Sequence, residues 1–423
     1  MNPQTSTELH GNGLVSSSVT VPFFRPHIGT EEINEVIDTL RSGWLTTGPK
    51  VKQFEQQFAA SVGARFAVAV NSCTAALHLA VEAIGLREGD AVLIPTMTFA
   101  ATAEIILYKK AIPILVDCDP TTGNMDLADA ERKIERLRKR RLPFLRGREL
   151  AVVGMIPVHV GGYMMNVRDI KEFAQTHDLW VIEDAAHAFP SAWRPDAESR
   201  WQMCGDNTAA VTCYSFYANK TITTGEGGMA VTNNEELAER IRLMSLHGLS
   251  HDAWGRFAAS GNWDYKIVQP GYKYNLTDIA AAIGCHQLAR AEEMRQQREA
   301  VAEFYLASLA DLEGLSLPVT NDNRMHSWHL FPIRLKLENL SIDRNKFIEE
   351  LKSHGVGCSV HWRPLHMHPL YRERLGWNED HFPSATIMWN EIISLPIFSS
   401  MTFEEMVHVA ETVKQLCVDY SKN

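Results

Sequence analysis

Three things are scarce in this sequence, and each absence removes a class of protein. The cysteines at positions 73, 118, 204, 213, 285, 358 and 417 form no CxxC pair and keep no regular spacing. That excludes a disulfide framework or zinc motif and leads us to expect reduced thiols, no metal and a cytoplasmic location. No apolar run approaches the roughly 20 residues of a membrane span, and no basic segment followed by an apolar one opens the chain. No membrane partner is expected. Positive charge is also short, 41 Lys and Arg against 51 Asp and Glu for a net of -10, which argues against a nucleic-acid partner.

What is present suits a large folded core. Of 423 residues 45% are hydrophobic, enough for two domains. Residues 1–20 are polar and read as a mobile tail. The segment 21–290 reads as a large domain and 291–423 as a smaller one. Gly29-Thr30-Glu31-Glu32 offers a helix start, Ile33, Val36, Ile37 and Leu40 recur at helical spacing, and Gly43 stops the helix. From Phe66 the pattern becomes βα units, with apolar strands predicted at Phe66–Val70, Ala91–Pro95, Ile112–Val116, Val152–Val158 and Leu179–Ile182. Such alternation implies an α/β fold with a mainly parallel sheet covered on both faces. A long helix is expected from about Ala280 toward Leu309. A smaller α+β C-terminal unit follows, with strands over Trp328–Leu335 and Cys358–Trp362, a helix from Arg344 to His354 and a last helix from Phe403 to about Leu416.

The chemistry gathers around Ser215-Phe216-Tyr217-Ala218-Asn219-Lys220-Thr221-Ile222-Thr223-Thr224-Gly225-Glu226-Gly227-Gly228. It sets one lysine between a predicted strand, Ala209–Phe216, and another, Met229–Thr232. Glycines there permit tight turning and close approach. A desolvated lysine loses its proton readily and attacks a carbonyl, the entry step of pyridoxal phosphate (PLP) chemistry. The bland reading of the same stretch is a surface lysine in a hairpin turn.

Ligands in parallel sheets bind beyond the carboxyl ends of the strands. Three ends carry useful groups. Asn71-Ser72-Cys73-Thr74 opens a helix whose free N–H groups could hold a phosphate, or is an ordinary N-cap. Thr96-Met97-Thr98-Phe99 brings an aromatic that could cover a planar ring or fill a core. Glu183-Asp184-Ala185-Ala186-His187 places a carboxylate where it could pair with a cationic ring nitrogen, or simply cap a helix.

Several further motifs follow in order: Ser42-Gly43-Trp44-Leu45-Thr46-Thr47-Gly48-Pro49-Lys50, Pro157-Val158-His159 and Pro270-Gly271-Tyr272-Lys273-Tyr274-Asn275-Leu276-Thr277-Asp278. With the stretches above, they make the chain resemble the DegT/DnrJ/EryC1/StrS family of PLP-dependent nucleotide-sugar aminotransferases from about Pro26 to about Leu416. Within that family it most resembles the UDP-4-amino-4-deoxy-L-arabinose aminotransferase type. The resemblance implies a fold-type-I architecture, PLP as cofactor, L-glutamate as donor, a nucleotide-linked 4-keto sugar as acceptor and a homodimer with shared sites.

Carried over by position, the resemblance makes Lys220 the residue that forms the internal aldimine and moves the proton. Asp184 would hold the pyridinium proton, His187 would lie near the ring hydroxyl and Phe99 would stack on the ring. Cys73, Thr74 and Ser215 would hold the phosphate, with Asn275 reaching it from the other subunit. Thr47, His159, Lys273, His329 and His361 are the substrate candidates. The chain departs from the family pattern at Cys73, where glycine or alanine is usual, and in a long basic segment, 131–148, which reads as a solvated helix face and loop. The His361–His368 segment reads as a substrate-facing loop without metal-ligand spacing. Amination at C3 and a non-catalytic PLP-binding regulator are the alternative readings; the regulator would bring a DNA-binding module, and none is visible.

Overall fold

The computed structural model describes residues 19–139, 141–142, 150–249 and 266–422. Most of the 1–20 tail and Arg140, Arg146 and Arg148 of the basic segment lie outside the described residues.

Seven short apolar runs make the main sheet: β1 (Phe66–Val70), β2 (Ala91–Pro95), β3 (Ile112–Val116), β4 (Val152–Met155), β5 (Trp180–Asp184), β6 (Val211–Ser215) and β7 (Gly228–Thr232). Their order is β1-β7-β6-β5-β4-β2-β3. Only β7 runs against the others. The expected mainly parallel sheet is therefore the one observed.

Alternation along the strands supplies two cores. Val68 and Val70 pack in one apolar cluster with Cys213 and Ala230. Ala67, Ala69, Tyr214, Met229 and Val231 pack in another. Successive side chains of a strand point to opposite faces, so this division means a sheet covered on both sides. A third cluster joins Val21, helix residues Val301 and Tyr305, and the small sheet Leu315–Ser316, Phe331–Leu335 and Ile392–Leu395. The stretch from Leu365 to Met388 packs back onto the first cluster and Ala291 and Met294 onto the second, so the chain beyond 290 serves all three cores.

Some expected elements differ. The long helix is two, Asp278–Ala289 and Ala291–Leu309. Between them Arg290 leaves helical geometry, and its guanidinium reaches the His27 carbonyl at 3.2 Å and Glu32. Cys358–Trp362 is not a strand; Ser359 makes only an isolated bridge to Ser394. The basic helix Leu127–Arg138 is not wholly solvated either. Lys133 is buried, donating to the His381 carbonyl at 3.1 Å, with its ammonium 4.3 Å from the Phe382 ring centroid. An aromatic face and a carbonyl replace part of the water that this charge gives up. Among the described residues no helix is long and apolar enough to cross a membrane.

Candidate active site

The loop 216–227 joins β6 to its antiparallel neighbour β7, so it is a hairpin connection that folds inward. Phe216 N–H donates to the Gly227 carbonyl at 2.9 Å and Thr224 N–H to the Phe216 carbonyl at 3.0 Å. Thr223 adds a side-chain bond to the same Phe216 carbonyl at 2.9 Å. Gly225 takes φ +80, which L side chains disfavour. Cinched this way, the loop sends Lys220 into a cavity of 540 Å³.

Of the expected site residues, Cys73, Thr74, Phe99, Asp184, His187, Ser215, Lys220, His329 and His361 line that cavity together. Cys73 and Thr74 open the helix Cys73–Ala83, capped by Ser72, whose hydroxyl accepts from Ala75 N–H at 3.1 Å. Gly228 makes this cradle possible. A Cβ there would lie 2.4 Å from the Ser72 carbonyl and 2.6 Å from Cys73 N, so only glycine lets the strand pass. Phe99 stands at the rim, 64% exposed.

Asp184 ends β5 and faces the cavity floor. It accepts from the Thr102 hydroxyl at 2.8 Å and from Ala186 N–H at 3.1 Å. Burial raises its proton affinity, opposed by those bonds and by Lys220. Burial also pulls Lys220 down to about 8, with Cys73 and Asp184 working against it and Arg298 with it. The Cys73 thiol is itself pushed well up by burial, which leaves Asp184 as the main anionic neighbour.

Three histidines close the cavity. His187 stacks on Trp362, centroids 5.0 Å apart, and accepts from Gly161 N–H at 3.2 Å. His329 lies with its Nε2 3.3 Å from Lys220 Nζ. His361 pairs with the Ser394 hydroxyl at 2.9 Å. Burial first, then the Lys220 charge, pushes His187 and His329 well below the usual range and His361 to about 4. All three are neutral near pH 7.

Four expected residues are elsewhere. His159 is fully buried on the opposite side of β5, with Nε2 3.4 Å from Glu183 Oε1 and Nδ1 accepting from Met165 N–H at 3.2 Å. It does not face the cavity, because Glu183 draws it behind the strand. His159, Glu183 and Cys204 are the one trio of metal-ligating groups within 4.8 Å of one another among the described residues. Glu183 already accepts from the Thr208 and Thr212 hydroxyls there. Thr47, Lys273 and Asn275 form a separate cluster: Asn275 donates to the Thr47 hydroxyl at 2.7 Å and is bonded by Lys273. Thr47 and Asn275 line a second cavity of 620 Å³, bounded also by Trp44, Lys52 and Arg65.

Sequence reading missed Thr102, Asn219 and Trp362. Thr102 and Trp362 approach through folding over long separations and carry no local motif. Asn219 stands next to Lys220 and its side-chain oxygen is buried without a partner, a signal that only the fold reveals.

A lysine of lowered pKa, a buried carboxylate and a helix N-terminus in one cleft of an α/β sheet define a group-transfer enzyme of the lysine–carbonyl class. Comparison with known proteins makes this specific. The chain belongs to the DegT/DnrJ/EryC1/StrS aminotransferase family, whose model matches residues 26–414. It is 44% identical over 396 residues to the uncharacterized protein MJ1066 of Methanocaldococcus jannaschii, covering 94% of this chain and 97% of that one. It is 41% identical to the spore coat polysaccharide biosynthesis protein SpsC of Bacillus subtilis, covering 94% and 97%. Among solved structures, the putative sugar aminotransferase Spr1654 of Streptococcus pneumoniae in its PMP form superposes with a TM-score of 0.84 at 30% identity, over 94% of this chain and 99% of that one.

Proposed function

We propose that the protein transfers an amino group from L-glutamate to C4 of a nucleotide-linked keto sugar, with PLP as the carrier. The observation that carries this reading is the convergence of Lys220 and Asp184 on one cavity floored by the helix that starts at Cys73. The cavity fits the cofactor's chemistry. Gly228 leaves the N–H groups of Cys73 and Thr74 uncovered for a phosphate, and burial raises the proton affinity of Asp184, a cost that a cationic ring nitrogen beside it would offset. Spr1654 has been solved in PLP and PMP forms, and SpsC is named for polysaccharide synthesis, which supports an amino-sugar product.

When bound, PLP supplies an electron sink next to the carbon that loses its proton. Cys73, Thr74 and Ser215 would hold the phosphate, Asp184 would keep the proton on the ring nitrogen, and His187 and Phe99, which line the same cavity, would serve the ring hydroxyl and the ring face. Lys220 Nζ takes a proton from one carbon and returns it to another. With its proton affinity near neutral pH, it does both without a large penalty.

The site is completed by a second copy of the chain. Thr47, Lys273 and Asn275 stand outside the cavity of their own protomer. The helix Thr30–Ser42 leaves Ile33, Ile37 and Leu40 exposed at one helical stripe, a face that an equivalent chain would cover. Asn275 of the partner subunit then reaches the phosphate, and the partner's Lys273 the diphosphate of the nucleotide.

A panel of nucleotide-linked 3-keto and 4-keto sugars, incubated with glutamate and read by mass, tests the reading. An amino sugar formed from a 4-keto substrate is the expected result. Amination confined to 3-keto substrates would overturn the assignment of position, and no amination with any would overturn the substrate class.

A further inference from the structure

We infer that His329 is a positioning residue for the catalytic amine: its neutral ring accepts a hydrogen bond from Lys220 Nζ and so holds that nitrogen and its proton in place. This rests on the reading of Lys220 given above, but on a different observation.

The two nitrogens are 3.3 Å apart although their residues are 109 positions apart in sequence. His329 is 4% exposed. It belongs to a strap, His326 to Leu330, that is held on both sides of it, at Ser327, Trp328 and Leu330. Ser327 donates from its hydroxyl to the His187 carbonyl at 2.6 Å and from its N–H to the Ser191 hydroxyl at 3.2 Å. Leu330 N–H donates to the Gly161 carbonyl at 3.2 Å. Trp328 takes φ +49, a left-handed conformation that a bulky residue adopts only when its surroundings impose it. Those surroundings are the stacked His326 ring, 4.0 Å away, and Arg298, which donates to the Trp328 and Ile397 carbonyls at 3.1 and 3.0 Å. The unusual backbone turns the next side chain, His329, toward the lysine.

The groups facing Lys220 come from every element around it: Cys73 from the helix, Asp184 from β5, His187 beyond it, Arg298 from the helix Ala291–Leu309, and His329 and His361 from the chain past 320. A charged lysine has no lone pair and only donates. Neutral His329 must therefore accept at Nε2 and carry its own proton on Nδ1, which is buried with no partner. A hydrogen bond that exists to the charged form favours that form. His329 thus keeps Lys220 from losing its proton too easily in a site whose burial and Arg298 both press it that way.

The test uses the full-length chain freed of cofactor, so that it reads the amine directly. Trace acetic anhydride labels Lys220 over a pH series spanning about 8, and the Lys220 peptide is quantified by mass to give the midpoint of amine reactivity. His329→Leu should lower that midpoint by about one unit, a tenfold change in proton affinity. His329→Gln, whose amide oxygen also accepts, should restore it. A residue that merely fills space would not separate leucine from glutamine. An unchanged midpoint in His329→Leu, or an equal fall in both variants, overturns the proposal. If melting shows that His329→Leu does not fold, ring-15N histidine spectra of the unsubstituted protein decide, with the His329 signal identified by its loss in His329→Gln. A proton on Nδ1 below the midpoint supports the inference and a proton on Nε2 contradicts it. None of these readouts depends on where PLP attaches, so this inference and the assignment of Lys220 fail separately.

Discussion

Glu183 and Asp184, consecutive residues of one strand, serve opposite faces of the sheet: Asp184 accepts from Thr102 on the cavity side, and Glu183 pairs with His159 at 3.4 Å on the far side. The two-residue period of a strand makes this unavoidable. It explains why one carboxylate is available to a cofactor and its neighbour is consumed by His159, Thr208 and Thr212.

Asp184→Asn keeps the shape and removes the charge. PLP should still bind, while the proton-transfer step slows by a factor on the order of a hundred or more. Single-turnover absorbance with glutamate measures it. Unchanged turnover would mean that another carboxylate serves the ring.

Gly228→Ala tests the phosphate cradle. The added methyl meets the Ser72–Cys73 peptide within 2.6 Å, and backbone yields poorly. We expect a loss of about 1–3 kcal/mol in stability, read by thermal melting, together with weaker PLP retention on dialysis. A variant that binds PLP as tightly as the unsubstituted protein would place the phosphate elsewhere.

Turnover should depend on pH through Lys220. Its proton affinity is lowered to about 8, so the neutral amine predominates above that pH. The rate of the proton-transfer step should rise with pH, about tenfold per unit below the midpoint, and level off above it. His187 and His329 are held well below their usual range and His361 at about 4, so they add no step near pH 6.5. A second limb near there would contradict their neutrality.

The proposal that the site is shared between two copies predicts complementation. Lys220→Ala and Asn275→Ala should each be inactive as homodimers. A mixed dimer carries both defects in one site and neither in the other, so subunit exchange should restore up to roughly a quarter of full activity for random pairing. No recovery, with exchange shown independently, would put Asn275 and Lys220 in the same protomer's site. An active Asn275→Ala would mean that Asn275 only supports the local turn.

Much of this was legible in the sequence because the βα pattern and the strand ends are local signals. Lys220, Asp184 and Cys73 each sit at the edge of an apolar run, and the sheet brings such edges to one side. His159 also follows a strand, but which way its side chain turns depends on Glu183, a partner that only the sheet order supplies. Thr102 and Trp362 escaped for a similar reason. The break at Arg290 was hidden because the apolar spacing continues across it, and the contact that diverts it, with His27 and Glu32, lies over 250 residues away. Lys133 looked like part of a solvated run until the stretch containing Trp377 and Phe382 folded over it.

The central claim is that Lys220 is the residue to which the cofactor is joined. Borohydride reduction of the yellow PLP-loaded protein, followed by proteolysis and peptide mass mapping, tests it most directly. The account predicts a single pyridoxyl-modified peptide carrying the label on Lys220, and no label in Lys220→Ala. A label on any other lysine, or the same labelling in Lys220→Ala, would contradict it.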